Sequence, residues 1–245
     1  MNRNHNTFNN KSSLLLPSVV KNKSLEYCRY SNHAQNPQAS DLTSIKWSPP
    51  LTETFKLNID GSFSKDRNKG GIGGVIRDHN GQWVMGLYHN ITAQNHCEVE
   101  ALLEGLKIVA DCSIVPIEIE LDSSEVIEAL EDTQPIYATK MNSCRLLMKR
   151  LGNPLVRHSF RQANKVADFL SRLGTKLTPS AQAAILSTPL DHTLSLIKDD
   201  QQGLISTKQV LRTTCNKLAR FGNLAVIANY RDNVEANRPP NCVTP

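Results

Sequence analysis

Apolar and polar residues alternate from Phe55 to Asp60, with Phe55, Leu57 and Ile59 on one side and Lys56, Asn58 and Asp60 on the other. Strict alternation over a short run predicts a half-buried β-strand. Two more strand patterns follow, GGIGGVIRD at 70–78 and WVMGLYHNI at 83–91, joined by the turn dipeptide Asn80-Gly81. Together they predict an antiparallel meander of three strands. The period then lengthens. Apolar residues recur at helical spacing from Glu98 to Asp111, IEIELD at 117–122 returns to alternation, and SSEVIEALED precedes a helical pattern from about Tyr137 to Leu151. LVRHSF at 155–160 reads as a fifth strand and NKVADFLSRLG at 164–174 as the helix that completes the unit. A meander followed by strands interleaved with helices implies an α/β fold, a mixed sheet with helices packed on it.

Outside this unit the pattern fades. The N-terminal stretch is rich in Asn and Ser and has no sustained period, so residues 1–46 are expected to be disordered, with structure beginning near Trp47. Beyond the last helix there are weak helical patches at about 192–198 and 208–219, and the chain ends in the turn-rich ANRPPNCVTP. The expected organisation is a domain over 47–176 and a poorly ordered extension over 177–245.

Charge refines this division. The net charge is +5, yet residues 1–50 hold six basic and two acidic side chains, residues 178–245 seven and five, and residues 51–177 fifteen and sixteen. The basicity belongs to the flanks, so net charge alone does not mark the central unit as a nucleic-acid binder. The six cysteines include no C-x-x-C pair, which removes the usual zinc and redox motifs and predicts free thiols in a reducing compartment. No apolar run approaches the roughly 18 residues of a membrane span, and LLLPSVV at 14–20 is short and broken by Pro17 and Ser18. A soluble monomer with no membrane partner is expected, in the nucleus or cytoplasm; the first acidic residue is Glu26, and the basic, Ser- and Asn-rich start before it leaves an organellar address open. Asn-x-Ser/Thr triplets at Asn10, Asn22 and Asn90 read as chance. The cluster Lys69-Gly70-Gly71-Ile72-Gly73-Gly74 is not a phosphate cradle, because a strand and hairpin follow it where a dinucleotide or P-loop motif needs a helix.

The acidic residues carry the candidate chemistry. Asp60 ends the first strand, Glu98 opens the first helix, Asp122 ends the fourth strand and Asp168 lies in the first turns of the last helix. Strand ends and the helix starts that follow them converge at one edge of an open α/β sheet, so the four can meet. Clustered carboxylates repel unless a cation sits among them, and hard oxygen ligands suit Mg²⁺. Each also has a structural reading: Asp60 as a turn residue, Asp122 with Glu125 as a capping box, Glu98 and Asp168 as complements to helix dipoles. Helical phase separates one of them, since Glu98 shares a face with Leu102, Gly105, Leu106 and Val109, while Glu100, Glu104, Lys107 and Asp111 form the wet side. An inward carboxylate needs a partner.

The order Lys-Leu-Asn-Ile-Asp-Gly-Ser at 56–62, Gly-Gly-Ile-Gly-Gly-Val-Ile-Arg-Asp at 70–78, Glu98 with Ala101-Leu102 and Gly105-Leu106, Leu-Asp-Ser at 121–123, and Arg161, Asn164, Ala167 and Asp168 resembles the ribonuclease H type 1 domain, especially the reverse-transcriptase-associated branch of plants. The likeness covers about 47–176 and includes Trp47, Pro49 and Pro50 as a lead-in. It implies an RNase H-like fold with a five-stranded mixed sheet, three antiparallel strands and then two parallel ones, flanked by helices. It implies hydrolysis of the RNA strand of RNA–DNA hybrids by two Mg²⁺ or Mn²⁺ ions. Asp60, Glu98, Asp122 and Asp168 then become metal ligands. His158, ten positions before Asp168, becomes the family's mobile histidine, although by itself a histidine on that strand reads as an exposed ring. Gly61 and Ser62 would let backbone approach the sugar-phosphate chain, where the 2′-hydroxyl identifies RNA.

This sequence departs from the family in having Cys97 before Glu98 where alanine is usual, Gln162 where glutamate follows the arginine, and no basic protrusion. Lys140, Arg145, Lys149 and Arg150 form one helical basic group, in which Arg145 and Lys149 stand a turn apart as candidate phosphate contacts or as an ordinary solvated face. Two readings follow: a hybrid-specific endoribonuclease, or a retroelement-derived nucleic-acid-binding or interaction module with the same fold and little activity.

Overall fold

The computed structural model of the chain describes residues 39–92, 96–131, 138–178 and 182–229. In chain order they form β1 (Ser40–Ile45), β2 (Phe55–Ser64), β3 (Lys69–Arg77), β4 (Trp83–Ile91), α1 (Cys97–Asp111), β5 (Ile117–Leu121), α2 (Ser124–Glu131), α3 (Ala138–Arg150), β6 (Leu155–His158), a 3₁₀ turn (Arg161–Ala163), α4 (Lys165–Gly174), β7 (Ala184–Leu186), α5 (Asp191–Gln201), β8 (Ser206–Leu211) and α6 (Arg212–Arg220). Residues 224–229 are again helical. The meander expected from the alternation is β2–β3–β4, antiparallel throughout, with Asp60 opposite Gly73. β5 lies parallel to β2, and β6 parallel to β5.

The main sheet has six strands, in the order β6-β5-β2-β3-β4-β7, where five were expected. The sixth is the three-residue β7, which pairs antiparallel with β4. It carries too few residues to show a period of two, so pattern alone could not reveal it.

Opposite faces of β2 are covered differently. Leu57 and Ile59 pack with Leu102, Leu106 and Val109 of α1 in the main core, each side chain contributing about 1.5–3 kcal/mol by leaving water. On the other face α4 lies directly on β3. A Cβ at Gly73 would sit 2.1 Å from Ser171 N, and one at Gly71 would sit 2.2 Å from Ser171 O. The glycine cluster therefore gives a helix close access to a strand.

The polar side of β2 is not half-solvated as the alternation suggests, because Lys56, Asn58 and Asp60 are fully buried. Lys56 Nζ bonds Glu120 at 2.6 Å and Glu118 at 3.0 Å, and Arg157 Nη1 meets the other Glu118 oxygen at 2.9 Å. Arg77 bonds Asp200 of α5 at 2.6 Å and Asn58 at 2.8 Å, and its guanidinium stacks 3.7 Å from the Trp47 ring, whose N–H also donates to Asn58. Three cations face three carboxylates, and this balance makes so polar an interior tolerable.

The flanks require a correction. Part of the stretch expected to be disordered, residues 40–45, forms β1, which pairs antiparallel with β8 of the expected poorly ordered extension. Ile45 and Trp47 join Phe160, Val210, Leu218, Val226 and Ile227 in a second apolar cluster. The patch at 208–219 is strand as far as Leu211 and helix from Arg212, whereas α5 agrees with the patch at 192–198. The extension is ordered because it covers the end of β6 and part of the buried polar network. Expectations that fall on residues 1–38, including LLLPSVV, the leader-like start and the triplets at Asn10 and Asn22, and on the end at 230–245 lie outside the described residues. Asn90, the remaining triplet, is buried and donates to Gly174 O. Among the described residues no helix is long and apolar enough to cross a membrane, and Cys97, Cys112, Cys144 and Cys215 are not in disulfides.

Candidate metal and nucleic-acid site

Asp60 lies within β2 rather than at its end, since the strand continues through Gly61 to Ser64. The Asp-Gly dipeptide is not a turn. Asp60 Oδ2 accepts a 2.5 Å hydrogen bond from Ser171 Oγ of α4, while its buried Oδ1 has no donor. Glu98 stands in the first turn of α1, and its Oε2 accepts the Gly61 N–H at 3.0 Å. Gly61 is required there for a reason other than substrate approach: a Cβ would fall 2.3 Å from the main-chain carbon of Cys97. The missing side chain admits the N-terminus of α1 to the strand. Asp122 leaves the sheet after β5. It does not cap α2, because Ser123 Oγ accepts the Val126 N–H. The Asp122 carboxylate is thus not engaged as a helix cap.

Carboxylate oxygens of Asp60, Glu98 and Asp122 lie within 4.8 Å of one another, a set that can hold a metal ion. Burial first, and then repulsion from Asp122, pushes the Asp60 carboxyl up from 3.8 to about 7. Burial, followed by repulsion from Asp60, pushes Glu98 up to about 9. Asp122 is raised by burial and by Asp168, against the opposing pull of Arg161. Acids displaced in this direction are short of positive charge, and the donorless Asp60 oxygen fits a cation as its missing partner.

Asp168 stands apart from these three. Arg161 Nε bonds its Oδ1 at 2.8 Å, and Arg172 Nε its Oδ2 at 3.1 Å; Arg161 also approaches Asp122 at 3.9 Å. The expected quartet is thus a triad with a fourth carboxylate held at the rim by two arginines. Ser62 is half-buried with a hydroxyl that has no partner, and it lines a cleft of about 250 Å³ together with Phe63, Glu98, Ser123 and Glu125. The phosphate role expected of Arg145 meets a competing use. Its guanidinium donates to the carbonyls of Ala129 and Leu130 and to Asn142, closing the C-terminal end of α2. Lys149 is exposed, a turn farther along α3. Lys140 pairs with Glu100.

His158 is not an exposed ring. It is buried at the end of β6, edge-on to Phe160, with Nδ1 2.7 Å from Asn223 Nδ2, and burial pushes its pKa down to about 4. Sequence reasoning assigned no role to Ser171, Arg172 or Asn223. Ser171 left a trace, as a hydroxyl among the buried residues Val166, Ala167 and Leu170 of α4; Asn223 left none.

Residues 58–174 match the family described as reverse transcriptase-like. This segment is similar to RNase H-like domains. An Arabidopsis thaliana protein named "Putative ribonuclease H protein" is 25% identical over 172 residues, covering 68% of this chain and 27% of its own length, so the chain spans about a quarter of that relative. RNase H1 of the archaeon Halobacterium salinarum is 22% identical, with a TM-score of 0.42, over 49% of this chain and 96% of its own. LC11-RNase H1, solved in complex with an RNA/DNA hybrid, is 22% identical with a TM-score of 0.45 over the same shares of the two chains. The strand order β6-β5-β2-β3-β4, three antiparallel strands with two parallel ones beside them, is the mixed sheet expected from the sequence, with β7 as an added edge strand.

Proposed function

We propose that this RNase H-like domain hydrolyses the RNA strand of RNA–DNA hybrids, using Mg²⁺ or Mn²⁺ bound by Asp60, Glu98 and Asp122, with Asp168 completing the set. The observation that carries this reading is the convergence of three buried carboxylates within 4.8 Å, each with its ionisation suppressed. Divalent ions in such a site supply an activated water and charge for the leaving oxygen. The side chains prepare the place: Ser171 and the Gly61 N–H orient the Asp60 and Glu98 carboxylates, and Arg161 and Arg172 hold Asp168 at the rim. Gly61 and Ser62 line the cleft where a ribose 2′-hydroxyl would be read.

A second reading, a nucleic-acid-binding module with little turnover, draws on the double arginine pairing of Asp168 and the burial of His158. The purified full chain on an end-labelled hybrid separates the two. Cleavage of the RNA strand alone, dependent on Mg²⁺ and reduced by orders of magnitude in Asp60→Asn, is expected. Hybrid binding without cleavage would leave the module reading, and cleavage insensitive to chelator would overturn the site assignment.

A further inference from the structure

The two flanking strands carry cations to the edge of the carboxylate site. Residues 51–177 hold fifteen basic and sixteen acidic side chains, so a polyanion finds no net attraction in the central unit. In the fold, β1 and β8 pair with Ile45 opposite Ser206 and Thr43 opposite Lys208. Ile45 and Val210 pack with Phe160, and Lys208, two residues before Val210, lies on the same face of its strand. Its ammonium stands 5.3 Å from the centre of the Phe160 ring, while the residue as a whole is exposed. Lys46, which follows β1, is exposed too and lines one pocket with His158, Ser159 and Phe160. This pocket adjoins the site on two sides. The Ser159 N–H donates to Leu121 O at 2.8 Å, one residue from Asp122, and Arg161, next to Phe160, reaches Asp168 at 2.8 Å. Of the charges nearby, Arg212 pairs with Asp41, Lys217 with Glu128, and Glu120, which also lines the pocket, with the buried Lys56. Among the described residues neither Lys46 nor Lys208 pairs with a carboxylate.

We propose that Lys46 and Lys208 form a phosphate-binding patch that holds a nucleic-acid backbone beside the carboxylate site. The proposal rests on the reading of that site as acting on nucleic acid. Lys208 faces Thr43, three positions before Lys46, which separates the two lysines by roughly 10 Å along the strands. That is about three steps of a nucleic-acid strand rising about 3.4 Å per nucleotide, so the lysines can meet different phosphates of one strand. A cation without a carboxylate keeps its charge for an outside anion, and the ring beneath Lys208 holds its ammonium near the site. Phosphate contacts carry no base information, so the patch adds affinity and not sequence preference. It takes one residue from each flank, both outside residues 58–174 that match the family.

Lys46→Gln and Lys208→Gln in the full chain test this. The probe is a fluorescein-labelled RNA–DNA hybrid, its binding followed by anisotropy in chelator so that neither strand is cut. At about 0.1 M salt the double variant should bind roughly 10- to 100-fold more weakly, and the slope of log affinity against log salt should become shallower by about one for each lysine. A DNA duplex of the same length should lose affinity by the same factor, and Lys208→Arg, which keeps the charge, should keep the slope. Lys149→Gln with Arg150→Gln, two exposed cations of α3, should leave the slope unchanged. Lys46→Gln alone should shift it by about one, which keeps the test valid if Lys208→Gln disturbs the packing on Phe160. An unchanged slope in the lysine variants, or a slope that falls only in the α3 pair, would overturn the proposal and leave the site reading intact. A wild type that binds the hybrid neither in chelator nor with Mg²⁺ would instead remove the nucleic-acid reading, and this proposal with it.

Discussion

Replacing Asp60 with asparagine should make the metal-free protein more stable at alkaline pH, although it removes the residue proposed to bind metal. Asp60 is fully buried beside Asp122 and Glu98, and its ionisation is displaced from 3.8 to about 7. Between those values the folded chain keeps a proton that the unfolded chain has lost. Stability therefore falls as pH rises through that window, and the loss is complete above about pH 7. Glu98 extends the same trend toward about pH 9. A displacement of roughly three powers of ten corresponds to about 4 kcal/mol, at about 1.4 kcal/mol for each. Burial causes most of this displacement and repulsion from Asp122 adds to it; since burying the replacement amide also costs something, a gain of about 2 kcal/mol is expected for Asp60→Asn. Asparagine keeps an oxygen for the Ser171 hydroxyl, so little is lost in return. Urea unfolding in chelator at pH 5 and pH 8.5 measures the effect, with wild type and variant converging at the lower pH. Added Mg²⁺ should restore stability to the wild type and not to the variant. An Asp60→Asn protein that is no more stable than wild type in chelator at pH 8.5 would refute the argument, since ionising a carboxyl buried beside Asp122 would then cost nothing.

Other outcomes follow from individual contacts. Glu98→Gln should lower hybrid hydrolysis by orders of magnitude with the fold intact, because a neutral amide replaces an anionic ligand; Glu100→Gln, which disturbs only the partly exposed pair with Lys140, should cost at most about 1 kcal/mol and leave turnover unchanged. Asp200→Ala leaves the Arg77 guanidinium buried without its carboxylate and should destabilise by about 3–5 kcal/mol in urea unfolding, while Asp199→Ala serves as the neighbouring control. A fragment of residues 47–176 lacks Asp200, β7 and the strands and helix that cover Trp47 and Phe160. It should lose cooperative unfolding, whereas residues 39–229 should keep it; a sharp two-state transition in the shorter fragment would show that the C-terminal segment is not integral to the domain.

Local periodicity settled much of this chain. The meander β2–β3–β4 and the inward phase of Glu98 on α1 were legible because each depends on side chains within one or two turns or strands of each other. Glu98 and Asp122 could be singled out for a related reason, each sitting where one element gives way to the next, whereas Asp60 lies inside β2. What the sequence could not disclose depends on partners far along the chain. The polar face of β2 reads as solvated, and is buried only because Glu118, Glu120 and Asp200 arrive to neutralise Lys56 and Arg77. β1 and β8 are short and largely polar, and neither is a convincing strand until it pairs with the other. Asp122 looked like a helix cap until the fold gave that task to Ser123. Asp168 looked equivalent to the other carboxylates, yet Arg161 and Arg172 neutralise it at the rim. His158 shows the difference most directly. Its place on a strand near the site is local information, but whether its ring moves or is held depends on Asn223, 65 positions away, and only packing of the C-terminal segment against β6 brings that amide within 2.7 Å.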